Sequence, residues 1–316
     1  MQKLIKIILF LIFPIITIFS VIFFYNILIL DWRYAHKSQS TYQEPFNWFS
    51  YTFKIKLLNL ITDLSSNTEQ GLTKEHLYID ERSQKNLLSD VPLSTKFWQK
   101  GFYITINDKV KEIKVRHPGD NPQNWLFKKK RWRIQTKKDD QFGRYKFYNY
   151  LPYNLNDYIG GKIANDINIL SPKYKLVELY INGMSEGIYI KSERINENFL
   201  RRNKIMPVNI YKGEQILSEA IVGVDLNLFR NSAIWSKVAF FNKVQKDDKS
   251  DIINFLNILL KSTNNKIYLE QLFKKLNMEG WVNFAAYQVI AQNYHNDSSH
   301  NMRLVFDPWS GKISPI

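Results

Sequence analysis

Hydrophobic positions divide the chain into one long apolar stretch near the N-terminus and a larger region of short, alternating segments. Residues 7–30 carry no charged side chain. As a helix rising 1.5 Å per residue this stretch reaches about 36 Å, which is enough to cross the hydrocarbon core of a bilayer. A cleaved signal peptide would have a shorter apolar run that ends in small residues. Because this run ends in Leu28, Ile29 and Leu30, we predict an uncleaved single-pass anchor in the lipid bilayer.

Basic residues near the apolar stretch predict its orientation. Lys3 and Lys6 precede it, together with the terminal amine, and Arg33 and Lys37 follow it. This bias favours a cytoplasmic N-terminus and an extracytoplasmic bulk of the chain. The predicted layout is a tail at 1–6, the anchor at 7–30, a juxtamembrane connector with one helix at 31–97, and a folded domain at 98–316.

The connector contains one apolar pattern with helical spacing. Phe49, Phe53, Leu57, Leu60 and Leu64 recur every three or four residues, which predicts a helix that packs on the domain core or on the membrane surface, and we favour core packing. The following residues, up to position 74, are polar and predict a turn.

Strand patterns begin near Phe102. Residues 110–116 (VKEIKVR) alternate apolar and charged positions, as a half-buried strand does, and residues 132–135 predict another strand. The segments KLVELYI and MSEGIYIK are separated by Asn182 and Gly183, the residue pair that a type I′ hairpin turn requires.

Helical periodicity dominates the remaining segments. It predicts helices at 155–169, within 192–203, and at 252–261, 268–276 and 281–292. A strand at 302–306 is followed by the turn sequence DPWSG and the start of another strand. Together these elements predict an α+β fold, with a mixed or antiparallel sheet and several helices, behind one N-terminal transmembrane helix.

Composition narrows the possible chemistry. The chain of 316 residues has no cysteine, which excludes disulfides, thiolate metal sites and a cysteine nucleophile. Its net charge of +15 attracts phosphates, anionic lipid or acidic protein. Residues 109–146 hold thirteen Lys or Arg against four Asp or Glu, a cluster that suits a polyphosphate or forms a solvated basic face. No helix-turn-helix, zinc-finger or RNA-recognition signature is present, so nucleic acid is not a predicted partner.

Four segments occur in an order that is typical of one family. They are VRHPGD at 115–120, KKKRWRI at 128–134, VELYINGMSEGIYIKSE at 177–193 and NDSSHNMRLVFDPWSGKISP at 296–315. In this order and spacing the chain resembles the spore-coat CotH family of atypical, protein-kinase-like phosphotransferases. The resemblance covers roughly two hundred residues and excludes the first hundred.

The resemblance implies a kinase-like domain that binds ATP with Mg²⁺ or Mn²⁺ and phosphorylates an acidic or Ser/Thr-bearing envelope or coat protein. It carries over a catalytic carboxylate at Asp297, an orienting role at His300 and a metal ligand at Asn301. The cofactor-binding candidates are Arg116, Lys129, Lys130 and Glu193. Two alternatives stay open: residues 296–301 also suit a helix-capping turn, and Glu193 also suits a pair with a lysine or a plain surface position.

The family pattern continues past KISPI into a W-D or D-x-D element that supplies a second metal-binding aspartate. The sequence ends at Ile316, before that element. We expect either a fragment of an active enzyme or a protein that has lost catalysis, and in both cases little phosphotransfer by the 316-residue form. The alternative function is a non-catalytic, membrane-tethered scaffold that binds acidic protein or a polyanionic polymer.

Overall fold

The structure is a computed structural model of the chain. It describes residues 10, 12–21, 45–61, 71–89, 91, 93–104, 109–119, 124–137, 146–214, 225, 227–292, 296–298 and 301–316.

The predicted anchor falls mostly on residues outside this description. Residues 12–21 are helical, whereas 7–9, 11 and 22–30 are not described. Among the residues that are described, no helix combines the length and the apolar character needed to cross a bilayer. The anchor at 7–30 therefore stays a prediction.

Beyond residue 44, the described part of the chain contains seven helices and eleven strands that we label here. The helices are α1 (Pro45–Ile61), α2 (Glu81–Leu88), α3 (Leu155–Asp166), α4 (Glu197–Arg202), α5 (Ser250–Ser262), α6 (Lys266–Lys275) and α7 (Met278–Ala291). The strands are β1 (Thr73–Tyr78), β2 (Gln99–Ile104), β3 (Val110–Arg116), β4 (Trp132–Thr136), β5 (Phe147–Pro152), β6 (Tyr174–Ile181), β7 (Met184–Glu193), β8 (Asn209–Gly213), β9 (Trp235–Ala239), β10 (Arg303–Asp307) and β11 (Lys312–Pro315). This composition confirms the predicted α+β class.

Strands β1–β7 hydrogen-bond in the order β1-β2-β3-β4-β5-β7-β6 and close into a barrel. Closure removes the exposed edges that an open sheet would leave. Alternate residues point inward: Leu77, Ile113 and Val115 are at most 1% exposed. This alternation confirms the strand that the sequence predicted at 110–116.

Strand β1 corrects the prediction of a turn up to position 74. Thr73–Tyr78 pairs antiparallel with β2, with Leu77 opposite Tyr103. One of its inward positions is Glu75, which is buried and hydrogen-bonded to Tyr103. A glutamate at an inward position removes the apolar alternation by which a strand is recognised in sequence.

The hairpin of β6 and β7 confirms the prediction made from Asn182 and Gly183. Both residues have positive φ, 51° and 83°, as a type I′ turn requires. The Asn182 side chain also accepts a hydrogen bond from the Ile79 amide at 2.7 Å and donates one to the Ile79 carbonyl at 2.8 Å. The turn is therefore held to the segment that follows β1.

Two helices bury a different face from the one that the sequence predicted. In α1 the core-packing prediction is wrong for Phe53, Leu57 and Leu60, which are exposed, whereas Ile55 is buried. In α3 the i, i+4 spacing that predicts the helix runs through Leu155 and Ile159, which are exposed, and Ile163, which is half-buried. The buried residues are instead Gly160, Gly161 and Ala164. The small residues let a neighbouring ring approach closely: a Cβ on Gly161 would lie 2.3 Å from the Tyr174 ring.

A second sheet, in the order β11-β10-β8-β9, separates two apolar clusters. Leu304 and Phe306 of β10 belong to one cluster with residues of α5, α6 and α7. Val305, which points to the opposite face, belongs to the other cluster with Phe199 of α4 and Ile316.

Contacts divide the chain into two compact units. The first comprises Met1–Glu69, Glu75–Arg133 and Leu179–Gly187, and the second comprises Gln70–Lys74, Ile134–Glu178 and Ile188–Ile316. The candidate site residues fall into both units.

Candidate functional site

In the first unit, Lys129 and Lys130 lie just before β4 and are half-buried. Burial lowers the pKa of both ammonium groups, and the nearby Glu186 carboxylate of β7 opposes that lowering. The structure therefore brings both lysines towards one carboxylate. We call Lys129, Lys130 and Glu186 the lysine corner.

The lysine corner adjoins a buried histidine, His117. Its exposure is 1%, its Nδ1 lies 2.8 Å from the Arg131 carbonyl oxygen, and its ring packs on Trp132 at 4.3 Å. Burial, aided by the charge of Lys130, lowers the pKa of His117 to about 4, although the contact with the Arg131 carbonyl opposes that shift. The imidazole is therefore neutral at neutral pH and donates its Nδ1 proton to Arg131.

Arg116, a predicted cofactor-binding residue, is the last residue of β3, and its side chain contacts two neighbouring residues. One guanidinium nitrogen, Nη1, donates to the Thr95 carbonyl at 2.7 Å, and the guanidinium lies 4.8 Å above the Trp98 ring centroid. These contacts tie the end of β3 to the short 3-10 helix Leu93–Lys96 and to Trp98, which follows it. The assignment of Arg116 to a cofactor stays a prediction.

In the second unit, Glu193 ends β7 and its side chain is 3% exposed. One oxygen, Oε1, accepts from the Lys173 amide at 3.0 Å and forms an ion pair with Arg202 of α4. This arrangement corrects the reading of Glu193 as a plain surface residue, and its partner is an arginine rather than a lysine. The other oxygen, Oε2, is buried without a hydrogen-bond partner in the described part of the chain.

Asp297 and Asn301 lie on a segment that is anchored through its backbone. The Asn296 carbonyl accepts from the Gln288 side chain of α7 at 2.8 Å, and the Ser298 carbonyl accepts from the Leu228 amide at 2.7 Å. The Asp297 side chain is exposed. His300, the predicted orienting residue, lies outside the described residues.

Asn301 has a left-handed backbone, with φ of 54°. Among residues other than glycine, asparagine is one of those that adopt this conformation most readily, and such strained positions cluster at functional sites. Immediately after it, the buried Met302 accepts from the Gly213 amide of β8 at 2.8 Å. The segment therefore enters β10 at a fixed register.

Oxygen donors on this segment fit a magnesium-type ion. Mg²⁺ is usually held by one or two carboxylates together with waters and substrate phosphates. The amide oxygen of Asn301, the predicted metal ligand, is an oxygen donor of the kind that such an ion accepts. Across the described ranges, no group of three or more His, Asp or Glu is placed to hold a metal.

The sequence did not single out Glu186 or the buried role of His117. Both belong to motif segments, but the periodicity of apolar residues does not predict the burial of a single polar residue or its partner. Only the tertiary structure shows that Glu186 lies near the two lysines.

These features define a mixed α+β protein. Its motif segments place two half-buried lysines near one carboxylate, and a further motif segment, anchored through its backbone, carries the oxygen-bearing side chains of Asp297 and Asn301. The family model described as CotH kinase protein matches residues 93–313, more than half of the chain. The chain belongs to the CotH kinase protein family. No curated protein matches it.

Proposed function

We propose that the chain is a CotH-like protein kinase that transfers phosphate from ATP, with Mg²⁺ or Mn²⁺, to an acidic or Ser/Thr-bearing envelope or coat protein. The observation that carries the proposal is the family match over residues 93–313, which spans nearly the whole of all four motif segments. Family membership implies nucleotide and metal use in general. The identity of the nucleotide, metal and acceptor is our inference.

Each proposed role follows from the chemistry of the residue. Asp297 accepts the proton of the acceptor hydroxyl, because an exposed carboxylate is accessible to a substrate. Lys129 and Lys130 bind nucleotide phosphate, since a half-buried ammonium interacts more strongly with phosphate than a solvated one. Asn301 holds the metal ion, which when bound neutralises charge on the phosphates. In the same proposal Arg116 and Glu193 support the cofactor site and His300 orients the segment.

Nucleotide binding is the first test, because the predicted weak turnover of the 316-residue form stays untested. Calorimetric titration of ATP with Mg²⁺ should show saturable binding that Lys129→Gln and Lys130→Gln each weaken. Lys85→Gln is a matched control, because Lys85 is exposed and forms an ion pair with Glu81 on α2. Removing the charge of Lys85 should leave the affinity for ATP unchanged. An equal decrease in ATP affinity in all three variants would contradict the assignment of the lysine corner.

Transfer is tested separately with labelled ATP and a casein-like acidic protein. Label should enter the protein and should disappear with Asp297→Asn, while ATP binding persists. Comparison with a polypeptide extended past Ile316 tests the prediction that the 316-residue form is weak. Metal-independent transfer by the Asp297→Asn variant would overturn the proposed role of Asp297.

The second candidate is a scaffold that binds acidic protein or a polyanionic polymer through basic surface residues. The net charge of +15 favours it. Binding to heparin should then fall steeply between low and high salt, since exposed charges are screened within about 8–10 Å at 0.1–0.15 M ionic strength. Salt-insensitive binding would contradict the scaffold.

We further propose that residues 7–30 anchor the chain, with the N-terminus cytoplasmic and the bulk extracytoplasmic. Their uncharged, apolar sequence supports this. The full chain should stay with membranes after carbonate extraction, and a variant without residues 1–30 should not. Release of the full chain by carbonate would overturn the anchor.

A further inference from the structure

The second unit contains two arginines, Arg194 and Arg303, that none of the roles above uses. Arg194 follows Glu193 at the end of β7, and Arg303 is the first residue of β10. Both are half-buried. Within the described part of the chain, neither guanidinium donates a hydrogen bond or forms an ion pair. We call these two residues the arginine pair.

The residue after Arg194 packs on the face of the second sheet that carries Arg303, and the charge of Arg194 acts on Arg303. Residues two apart in a strand point to the same face, so Arg303 faces the same way as Val305. Val305 belongs to the apolar cluster against which Ile195 packs, and Ile195 directly follows Arg194. The chain thus brings Arg194 to the face that carries Arg303.

The backbone of Arg303 is fixed from both sides. It lies opposite Lys212 of β8 in an antiparallel pairing, and its carbonyl accepts from the Ile316 amide at 3.1 Å. The guanidinium of Arg194 is held over the Phe147 ring, 5.3 Å from the centroid. The Arg303 backbone and the Arg194 guanidinium are therefore positioned before any ligand binds, which lowers the entropy cost of binding.

Charge around the pair is not balanced by the nearby carboxylate. Directly opposed like charges in a sheet repel, and here Lys212 lies across from Arg303. Glu214 attracts Arg303, but its carboxylate is bonded to Lys212. Burial lowers the pKa of Arg303, and the charge of Arg194 contributes to that lowering. The carboxylate that acts on Arg303, Glu214, is thus shared with Lys212.

We propose that Arg194 and Arg303 form a binding site for a phosphate group. Two guanidinium groups present planar sets of N–H donors that match phosphate oxygens, and an anion between them relieves their mutual repulsion. The Tyr174 hydroxyl also lies near Arg303. Burial and the neighbouring Tyr287 raise the pKa of Tyr174 to about 12, although Arg303 opposes that shift, so the hydroxyl keeps its proton and adds a neutral donor.

The phosphate has two possible sources, the phosphate chain of a nucleotide or a free phosphate. The site does not require that the chain transfer phosphate, so it is independent of the proposed kinase activity. Pyrophosphate is the probe, because it carries the shared chemistry without a base or sugar.

Calorimetric titration of pyrophosphate into the full chain at constant salt tests the site. Arg194→Gln and Arg303→Gln should each weaken binding by about tenfold, the value expected for one charged hydrogen-bonding group. Arg230→Gln is the matched control, because Arg230 is a largely exposed arginine whose partner is Asp225 at 3.8 Å. It removes the same charge and should change the affinity less than about twofold.

A third variant guards against misfolding. Arg303→Lys keeps the charge but lacks the planar set of guanidinium N–H donors. Its affinity for pyrophosphate should therefore fall by an intermediate amount, about three- to fivefold. Urea unfolding of every variant identifies those that fail to fold. If Arg194→Gln and Arg303→Gln fold and bind pyrophosphate like Arg230→Gln, the proposed site is wrong.

Titrations with ATP and adenosine separate the two sources. Equal weakening of ATP and pyrophosphate by Arg303→Gln assigns the site to the phosphate chain of a nucleotide. Weakening of pyrophosphate alone assigns it to a free phosphate. If the wild-type chain binds pyrophosphate but not ATP, the kinase proposal fails and the arginine site stands.

Discussion

His117 and Glu193 are both buried ionisable side chains next to strand ends, but the protein accommodates them in different ways. His117 is uncharged at neutral pH, and one backbone carbonyl satisfies its Nδ1 proton. Glu193 is charged, and it uses both an arginine and a backbone amide. A buried group that stays neutral, such as His117, lowers stability when the pH falls, because it would then have to bind a proton. A buried charge requires a counter-ion at every pH at which it is ionised.

The largest predicted effect is the loss of the Glu193 ion pair. Glu193→Gln leaves the guanidinium of Arg202, whose side chain is 11% exposed, without its counter-ion. Removing one partner of a buried pair should lower the free energy of unfolding by about 3–5 kcal/mol. Urea unfolding followed by circular dichroism measures this.

Glu81→Gln serves as the control for that measurement. It breaks the exposed i,i+4 pair with Lys85, in which the glutamate side chain is 81% exposed. The expected cost is only about 0.5 kcal/mol. Similar costs for the two variants would show that Glu193 is not electrostatically important.

The second prediction concerns acid stability through His117. In the unfolded chain the imidazole binds a proton near pH 6.5, but in the folded chain its pKa is lowered to about 4. The unfolded state therefore binds more protons between these values. Stability is complete above pH 6.5 and falls as pH drops towards 4, by up to about 3 kcal/mol.

Unfolding of wild type and His117→Gln across pH 4–7 measures this contribution. The variant is less stable at pH 7 but should show a smaller fall towards pH 4, because it has no imidazole to protonate. Parallel pH profiles of the two proteins would contradict the neutral, buried state of His117.

The third prediction examines the packing of Tyr174, which follows Lys173, the backbone partner of Glu193. An added Cβ in Gly161→Ala would lie 2.3 Å from the Tyr174 ring. Overpacking costs about 1–3 kcal/mol, partly offset by about 1 kcal/mol of better helix propensity. We expect a net loss in thermal unfolding.

Gly160→Ala is the neighbouring control in the same helix. Its Cβ would meet only the Tyr287 hydroxyl, at 3.0 Å. We expect the propensity gain to leave this variant between neutral and about 1 kcal/mol more stable. A loss equal to that of Gly161→Ala would mean that the contact with the Tyr174 ring is not the cause.

The smallest effect on stability is predicted at Asn301, where the backbone rather than burial of a charge is decisive. Its φ of 54° suits glycine. Asn301→Gly should therefore keep wild-type stability, and Asn301→Ala should lose about 1 kcal/mol. Both variants lack the amide oxygen, so both should weaken Mg²⁺-dependent ATP binding equally. Weaker binding by the less stable Asn301→Ala variant alone would contradict a ligand role.

Several elements were predictable because their signal is local. The hairpin turn at Asn182 and Gly183 follows from backbone conformations that few other residues adopt. Strand β3 follows from strict alternation over seven residues. The segments that carry Asp297 and Asn301 were located because their letters match a family pattern.

Other features could not be predicted because they depend on distant partners. Strand β1 places Glu75 inward, and its pairing with β2 supplies Tyr103 as the partner. The lysine corner requires Glu186, a residue from another strand. The two predicted helix faces were wrong because hydrophobic spacing identifies residues that can be buried, not those that a neighbour covers.

The sequence by itself determined the α+β class, the hairpin, most helices and the membership of the CotH kinase protein family, because periodicity, turn residues and motif order are properties of neighbouring letters. The tertiary structure alone decided which buried charges have counter-ions. It gave Glu193 an arginine and left Arg194 and Arg303 without an ion pair among the described residues. The physical reason is that electrostatic compensation depends on distances between side chains far apart in sequence, and those distances exist only after the strands have paired.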